Sequence, residues 1–569
     1  MMTLDPVTLA VLKGRLEQIA DEMDATLYRS AFNPIIAEAR DACHGLYHRD
    51  TGDTLVQGTR GLPIFVGAMA FAVKAVIDKM KAQGGLKPGD TFIFNDPYAG
   101  GTHLNDIRLV RPVFRDGALF CWLASAGHWL DLGGNVPGGY NPVATESFQE
   151  GVLIPVVKLV AGGEMRQDIL DILAANSRLP NSNWGDLNGQ LNALDLGEGR
   201  LNALLDQYGA ATVDGAFAAF SARAEALMRE AIAALPDGTY SFEDYLDNDG
   251  IVDAPLTVAL DLTIAGDSMT LDVSRSSPPC AGPINISVPT TIAACYVALK
   301  HVFTDVPANA GCLKPITFVV PGTTLLGATA PKPMAGYTET ILRLIGVVFG
   351  ALAKAVPERA TAGPFGTINA LSMAGHRANG QRWVMFNFFG GGLGGNPESD
   401  GLNHANNPIS TATMPPVEIL EAAYPVMFTQ WALRPDSGGD GARRGGLGAV
   451  YEIEVLDERG AEVFLLGERG RHAPFGVNGG GEGALNRFSW DDGGVGGTPP
   501  MASKVTGVKL RQGGRVRLET PGGGGFGDPA SREPAARERD LRLGYVTGGI
   551  VPIGPHSSAV PRAHGRACP

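Results

Sequence analysis

The sequence predicts an α+β protein, with helices and strands mixed through its N-terminal and central regions and a β-rich, Gly-turn-rich C-terminal region. Three observations carry that expectation. Apolar residues recur at helical spacing over the first thirty residues and in several later stretches. An Asp-Gly pair stands between two apolar runs at 107–126, a strong hairpin signal, because both central positions of a type I′ turn need positive φ. Finally, the 77 glycines among 569 residues are concentrated late, at 390–395, 438–448, 476–483, 493–497 and 522–527. They show no Gly-X-Y period, which excludes collagen and leaves tight turns and close backbone approaches.

The elements follow in order. Asp5 can cap and Pro6 can open a helix over 5–30, whose stripe is Leu9, Leu12, Leu16, Ile19, Met23 and Leu27. Residues 42–57 read as two short strands around a turn at 49–53, and 66–83 as a second helix. A hairpin segment occupies 91–132. Residues 164–207 read as mostly helical with Asp- and Asn-rich loops near 181–188, and another helix covers 214–234. Strand signals dominate 237–274. Helices are expected near 288–303 and 337–355. From about 381 onward strands and glycine turns take over, 530–541 reads as a short helix, and 550–569 as a disordered tail. The expected regions are 1–235, which holds the candidate site, a central α+β region at 236–380, the β-rich region at 381–549, and the tail.

Composition narrows the function. A formal charge of −13 without a long Lys/Arg cluster argues against a nucleic-acid partner. Six cysteines lack any Cys-x-x-Cys spacing, which excludes a zinc ribbon and argues against a disulfide framework. The N-terminus lacks the layout of a signal peptide. The most apolar helix candidate, 342–355, contains Arg343 and Lys354 and is too short to span a bilayer. A cytoplasmic protein with no membrane partner is expected. The run Thr520-Pro-Gly-Gly-Gly-Gly-Phe-Gly527 resembles a phosphate cradle but lacks the Gly-Lys-Ser/Thr ending. No Walker A or Gly-x-Ser-x-Gly motif occurs anywhere.

The hairpin holds the candidate chemistry. Strands at 107–114 and 119–126, joined by a two-residue turn at Asp116-Gly117, give paired numbers that sum to 233. His128 then falls opposite Asn105, between His103 and Asp106. Two imidazoles and a carboxylate meet at the open end of the hairpin and suit Zn²⁺, Mn²⁺ or Fe²⁺ over Ca²⁺ or Mg²⁺. His103 and Asp106 are three apart, so both reach one ion only if 103–106 is irregular, as the preceding Gly100-Gly101 suggests. Asp131 is a candidate to orient an imidazole, and Asp96 reads as a turn-former. His44 and His48 lie close to Asp41 in sequence.

Taken together, the motifs resemble the hydantoinase B/oxoprolinase family over about 5–546. The resemblance rests on Glu38-Ala-Arg-Asp41, on 89–106 ending in Gly-Gly-Thr-His-Leu-Asn-Asp106, and on Gly127-His-Trp-Leu-Asp-Leu-Gly-Gly134. Glu150-Gly-Val-Leu-Ile-Pro155, Asn309-Ala-Gly-Cys312, Thr338-Glu-Thr340, Asp436-Ser-Gly-Gly439, Arg444-Gly-Gly-Leu-Gly448 and the 520–527 run follow in order. It implies one metal, Zn²⁺ or Mn²⁺, bound by Asp41, His103, Asp106 and His128, with Asp41 added by resemblance alone. It also implies an A-type partner subunit with an actin-like ATPase fold, which would hold ATP and Mg²⁺, in an (αβ)₂ heterotetramer. Phe65 departs from the family, standing where a His is common in Pro-x-His-x-Gly-x-Met.

The implied function is ATP-dependent hydrolysis of a cyclic amide (hydantoin, 5-oxoproline or a lactam). ATP would phosphorylate the carbonyl oxygen or bicarbonate, and Asp131 or His44 would assist proton transfer. The alternatives are a subunit of an acetone- or acetophenone-type carboxylase, a non-haem Fe(II) oxygenase, and a scaffold for the A subunit.

Overall fold

A seven-stranded antiparallel sheet builds the N-terminal half of the computed structural model, which describes residues 4–410 and 412–548. The tail expected at 550–569 lies outside the described residues. The strands are β1 (Ala42–His48), β2 (Thr54–Gln57), β3 (Thr91–Phe94), β4 (Asp106–Arg115), β5 (Ala118–His128), β6 (Val157–Ala161) and β7 (Glu164–Met165), in the order β2-β1-β5-β4-β3-β6-β7.

One face of this sheet packs on α1 (Pro6–Ser30) and α5 (Pro180–Tyr208), with Leu16, Met23, Leu109, Leu123 and Leu194 in a common core. Asp5 accepts the Val7 and Thr8 amides and so caps α1, as its position before Pro6 predicts. The opposite face packs on α3 (Pro63–Gln83), and beyond it on α7 (Val288–Val302) and α8 (Tyr337–Ala355). Tyr337, at the start of α8, and Phe386, in the strand segment 382–387, pack against the same face, beside His103 and His128.

Two expectations are corrected. The helix expected at 66–83 begins at Pro63, and the loops expected near 181–188 are helical, inside α5. Polar residues there would ordinarily favour turns, but their side chains find buried partners. Asn183 donates to the Asp131 carbonyl at 2.8 Å, and Asp186 accepts the Phe32 and Asn33 amides at 2.7 and 3.2 Å. Two shorter helices, α2 (Pro34–Ala37) and α4 (Gln167–Ala175), and the long α6 (Ala210–Ala233) complete this half.

A second sheet holds β8 (Gly238–Leu246), β9 (Leu256–Ala265), β10 (Ser268–Asp272) and β11 (Ile316–Val319), with α8 packed on it. A third pairs β12 (Ala370–His376) with β13 (Arg382–Asn387), β16 (Ala461–Leu466) and β19 (Lys504–Leu510). The β12–β13 hairpin runs across residue 380, so the central and C-terminal regions share this sheet. The fourth sheet holds β14 (Val426–Leu433), β15 (Ala449–Val455), β17 (Arg487–Asp491), β18 (Gly496–Gly497) and β20 (Arg515–Glu519). Helices α9 (Val417–Ala423) and α10 (Pro534–Arg542) lie in this half.

Gly522–Gly525 form no phosphate cradle. A Cβ on any of the four would sit 1.8–2.0 Å from a backbone carbonyl oxygen of Ser437, Leu393, Phe475 or Asp440. The amides of Gly523, Gly524 and Gly525 donate to the carbonyls of Gly446, Gly363 and Gly481 at 2.8–2.9 Å. This is backbone packed on backbone, which only glycine permits. Among the described residues no helix is long and apolar enough to cross a membrane.

Candidate metal centre

The β4–β5 turn forms as the Asp-Gly pair predicts. Asp116 and Gly117 both have positive φ, +52° and +80°, and Arg115↔Ala118 and Phe114↔Leu119 keep the sum of 233. One residue later the register shifts. Val113 pairs with Cys121, and from there the sum is 234, so His128 lies opposite Asp106 and not Asn105. Phe120 is the extra residue of a β-bulge. It is buried in the core facing α6, with its ring 6.2 Å from Phe217.

The bulge decides the chemistry. Residues directly opposite in an antiparallel pair share a face, so without it Asp106 and His128 would project to opposite faces. With it they share the face that meets α3 and α8. The same row extends to a third strand. Ala42 pairs with Gly127, and the His128 amide donates to the Asp41 carbonyl at 3.2 Å. Asp41 therefore continues the row Asp41–His128–Asp106. Its residue is partly exposed, while its Oδ1 is buried with no hydrogen-bond partner.

His103 joins the row from a turn. The Asp106 amide donates back to the His103 carbonyl at 3.2 Å, closing the irregularity that the three-residue spacing requires. The turn is approached through Gly100 at φ +91°, where a Cβ would lie 2.5 Å from the Phe71 backbone. His103 Nε2 stands 3.0 Å from Asp106 Oδ1. One potential ligand atom each from His103, Asp106 and His128 lies within 4.8 Å of the others. Thr102 donates to Asp106, and the buried Arg108 donates to Thr102 Oγ1 at 2.7 Å and to the Asp106 carbonyl at 2.8 Å.

These residues fit a cation. His103 Nδ1, both ring nitrogens of His128 and Asp41 Oδ1 are buried without a partner. Leaving such atoms bare costs roughly 1–3 kcal/mol each. Burial, reinforced by His103, pushes the His128 pKa down to about 3, so at neutral pH the ring is uncharged and one of its nitrogens offers a free lone pair. Burial alone would raise Asp106, but the two imidazoles and Arg108 outweigh it and hold the carboxyl below its ordinary range. Asp41 is pushed well up by burial and by the Asp106 charge. Two facing carboxylates of this kind are both ionised only with a cation between them.

The remaining sequence candidates are held elsewhere. Asp131 accepts from the Gly133, Gly138 and Arg178 amides and from the Arg178 guanidinium at 3.0 Å, and bonds to no imidazole. Its visible task is fixing the loop after His128. His44 points to the α1 face, where its Nδ1 meets Asp24 at 2.7 Å, away from the face of the row. Asp96 caps the short turn at 97–99, as expected. Phe65 is buried in the core on the α3 side.

Sequence spacing missed the walls of the site. Tyr140 and Phe386 stack at 4.8 Å and 7°, and Phe386 stacks on His128 at 5.3 Å and 19°. Tyr337 lies 4.8 Å and Tyr140 5.2 Å from the His103 ring. Tyr337 precedes the Thr338-Glu-Thr340 motif, the one local signal that could have flagged it. Glu339, next in that motif, is fully buried and accepts the Ile368 amide at 3.1 Å.

Burial pushes the Glu339 pKa up to about 8, with the Glu468 charge adding to it. The folded chain thus keeps a proton that the unfolded chain releases near its ordinary value of 4.5. That contribution is fully present at low pH and is lost as pH rises from about 4.5 through about 8. Glu339→Gln, which cannot ionise, is expected to gain stability relative to wild type over this window. Urea midpoints at pH 5 and pH 8.5 check it, and an unchanged difference between the two chains refutes it.

Comparison with known proteins adds the context. The hydantoinase B/oxoprolinase profile matches residues 5–529. The chain is 34% identical over 564 residues to the caprolactamase subunit beta of Pseudomonas jessenii, covering 96% of this chain and 95% of that one. The crystal structure of ATP-dependent caprolactamase from Pseudomonas jessenii aligns with a TM-score of 0.87 at 31% identity, over 96% of this chain and 95% of that one. The nucleotide-free structure of acetone carboxylase aligns with a TM-score of 0.88 over 95% of this chain and 78% of that one. At 21% identity, this is a likeness of fold.

Proposed function

This chain belongs to the hydantoinase B/oxoprolinase family, and we propose that it is the metal-holding B-type subunit of an ATP-dependent enzyme that opens cyclic amides. The observation that carries the reading is the buried His103–Asp106–His128 cluster with its bare nitrogens, beside Asp41, in a near full-length relative of a caprolactamase subunit. Asp41, His103, Asp106 and His128 would hold Zn²⁺ or Mn²⁺, matching a mixed imidazole–carboxylate donor set. Such a cation supplies Lewis-acid polarisation of an oxygen and a lowered pKa for water.

The chain's own residues prepare that site. His128 stays neutral and Asp106 anionic, so neither has to shed a proton. Arg108 and Thr102 hold the Asp106 turn, and Tyr140, Tyr337 and Phe386 close the site against bulk water. An unstrained cyclic amide is a poor electrophile, and this sequence holds no Walker A motif. The proposed energy source is an A-type ATPase partner in an (αβ)₂ assembly in the cytoplasm. It would transfer the ATP γ-phosphoryl to the amide carbonyl oxygen or to bicarbonate. The substrate class is a hydantoin, 5-oxoproline or a lactam.

The test is to purify the chain together with its A-type partner and to supply ATP with hydantoin, 5-oxoproline or caprolactam. Ring opening that requires both subunits and ATP is expected. An intact, metal-loaded pair that opens none of the three rings would sink the reading, and ATP-dependent incorporation of labelled CO₂ into acetone would replace it with a carboxylase.

A further inference from the structure

Tyr140 and Tyr337 both border the candidate site, one from the loop after β5 and the other from the first turn of α8. Each is 3% exposed. Neither hydroxyl makes a hydrogen bond among the described residues, and neither is fully enclosed, whereas Tyr28, Tyr98, Tyr240, Tyr245 and Tyr451 use theirs and the bare Tyr47 hydroxyl is sealed in the core. A phenol at an enclosed site normally finds a hydrogen-bond partner, so two that stay reachable and unpaired beside the ligand cluster are available to a bound group.

Their rings fix where those donors sit. Tyr337 and Tyr140 flank His103, while Tyr140, Phe386 and His128 form one near-parallel stack with interplanar angles of 7°, 19° and 24°. The stack makes a flat wall beside the ligand cluster. Arg108, whose Nε is buried without a partner, adds a positive charge felt by Tyr337. With a divalent cation, two carboxylates and this guanidinium, the site carries a net charge of about +1 by formal counting of the groups named. Neutral donors, a flat wall and a residual positive charge suit a planar amide whose carbonyl oxygen gains negative charge.

We infer that the hydroxyls of Tyr140 and Tyr337 donate hydrogen bonds to the carbonyl oxygen of a planar amide or related acyl group bound against the Tyr140–Phe386 wall. This inference rests on the proposed function for the substrate's class, but it is a statement about binding and is tested as one. The probe is acetohydroxamate, a small planar acyl group with paired oxygens, titrated calorimetrically into the purified chain loaded with Zn²⁺. Tyr140→Phe and Tyr337→Phe each remove one hydroxyl and keep the ring.

Each single variant is expected to bind the probe about tenfold more weakly than wild type, the double variant about a hundredfold, with zinc content and melting temperature unchanged. Wild-type affinity in both single variants, or no binding of the probe by the zinc-loaded wild type, would overturn the inference. Ring opening by the assembled enzyme is a separate readout. A chain that shows the tyrosine dependence but opens no ring retains the donors and loses the hydrolase reading. A chain that opens rings and binds the probe equally without the hydroxyls does the reverse.

Discussion

His128→Ala is expected to abolish metal retention, lowering the content from about one ion per chain to a trace, and to remove the activity of the assembled enzyme. The magnitude follows from where His128 stands. It is the middle of the Asp41–His128–Asp106 row, and both its nitrogens are buried without a protein partner. No nearby side chain is positioned to replace it, since Phe386 and Tyr140 cover the ring and Arg108 repels a cation. Losing the cation also leaves Asp41 and Asp106 facing each other with no charge between them to balance theirs, so one of them takes up a proton. His103→Ala is expected to behave alike. Elemental analysis of the purified variants measures the outcome directly. Metal binding also stabilises whatever binds it, so the melting temperature of wild type should fall on chelation while that of His128→Ala should not. A His128→Ala chain that still carries a full equivalent of metal would refute the assignment.

The largest stability loss is expected at Glu468, far from that row in sequence. Glu468 is fully buried and bridges Lys504 at 2.5 Å and Arg343 at 3.4 Å, and it accepts the Asp247 amide at 2.7 Å. Arg343 and Arg469 share Asp244 at 3.1 and 2.9 Å. Burial pushes the Glu468 pKa up despite Lys504 and Arg343, so the desolvation cost exceeds what those cations return. A buried ion pair of this kind adds little net stability, yet breaking it leaves an uncompensated charge. Glu468→Ala strands Lys504, which is 3% exposed, and is expected to cost roughly 3–5 kcal/mol. The double variant Glu468→Met with Lys504→Leu should cost much less than the sum of the two single changes. Urea midpoints at constant slope report both. A Glu468→Ala chain within about 1 kcal/mol of wild type would show that water or rearrangement neutralises Lys504.

The site was partly legible because some of its causes are local. Asp116-Gly117 announces its own turn, and the apolar runs on either side announce the strands. The spacing of His103 and Asp106 demanded an irregular backbone, and the structure has a turn there. Asp41 was legible only through family resemblance, because no local pattern links it to residues 62–87 positions further along. Asp131 and His44 drew attention by sequence proximity, yet a polar side chain takes the best partner available. Arg178 and Asp24 took them.

By itself the sequence determined the α+β character, the hairpin, the Asp5 cap of the first helix and the two histidines and one aspartate that gather at the hairpin's open end, since all of these follow from short-range backbone preference and side-chain alternation. Only the tertiary structure decided which face those residues share. The bulge at Phe120, whose ring packs against Phe217, turns Asp106 and His128 the same way. It also decided that 181–188 is helical and that Tyr140, Tyr337 and Phe386 wall the site. Those outcomes depend on burial against segments tens to hundreds of residues away, where the free energy of removing side chains from water outweighs local preference.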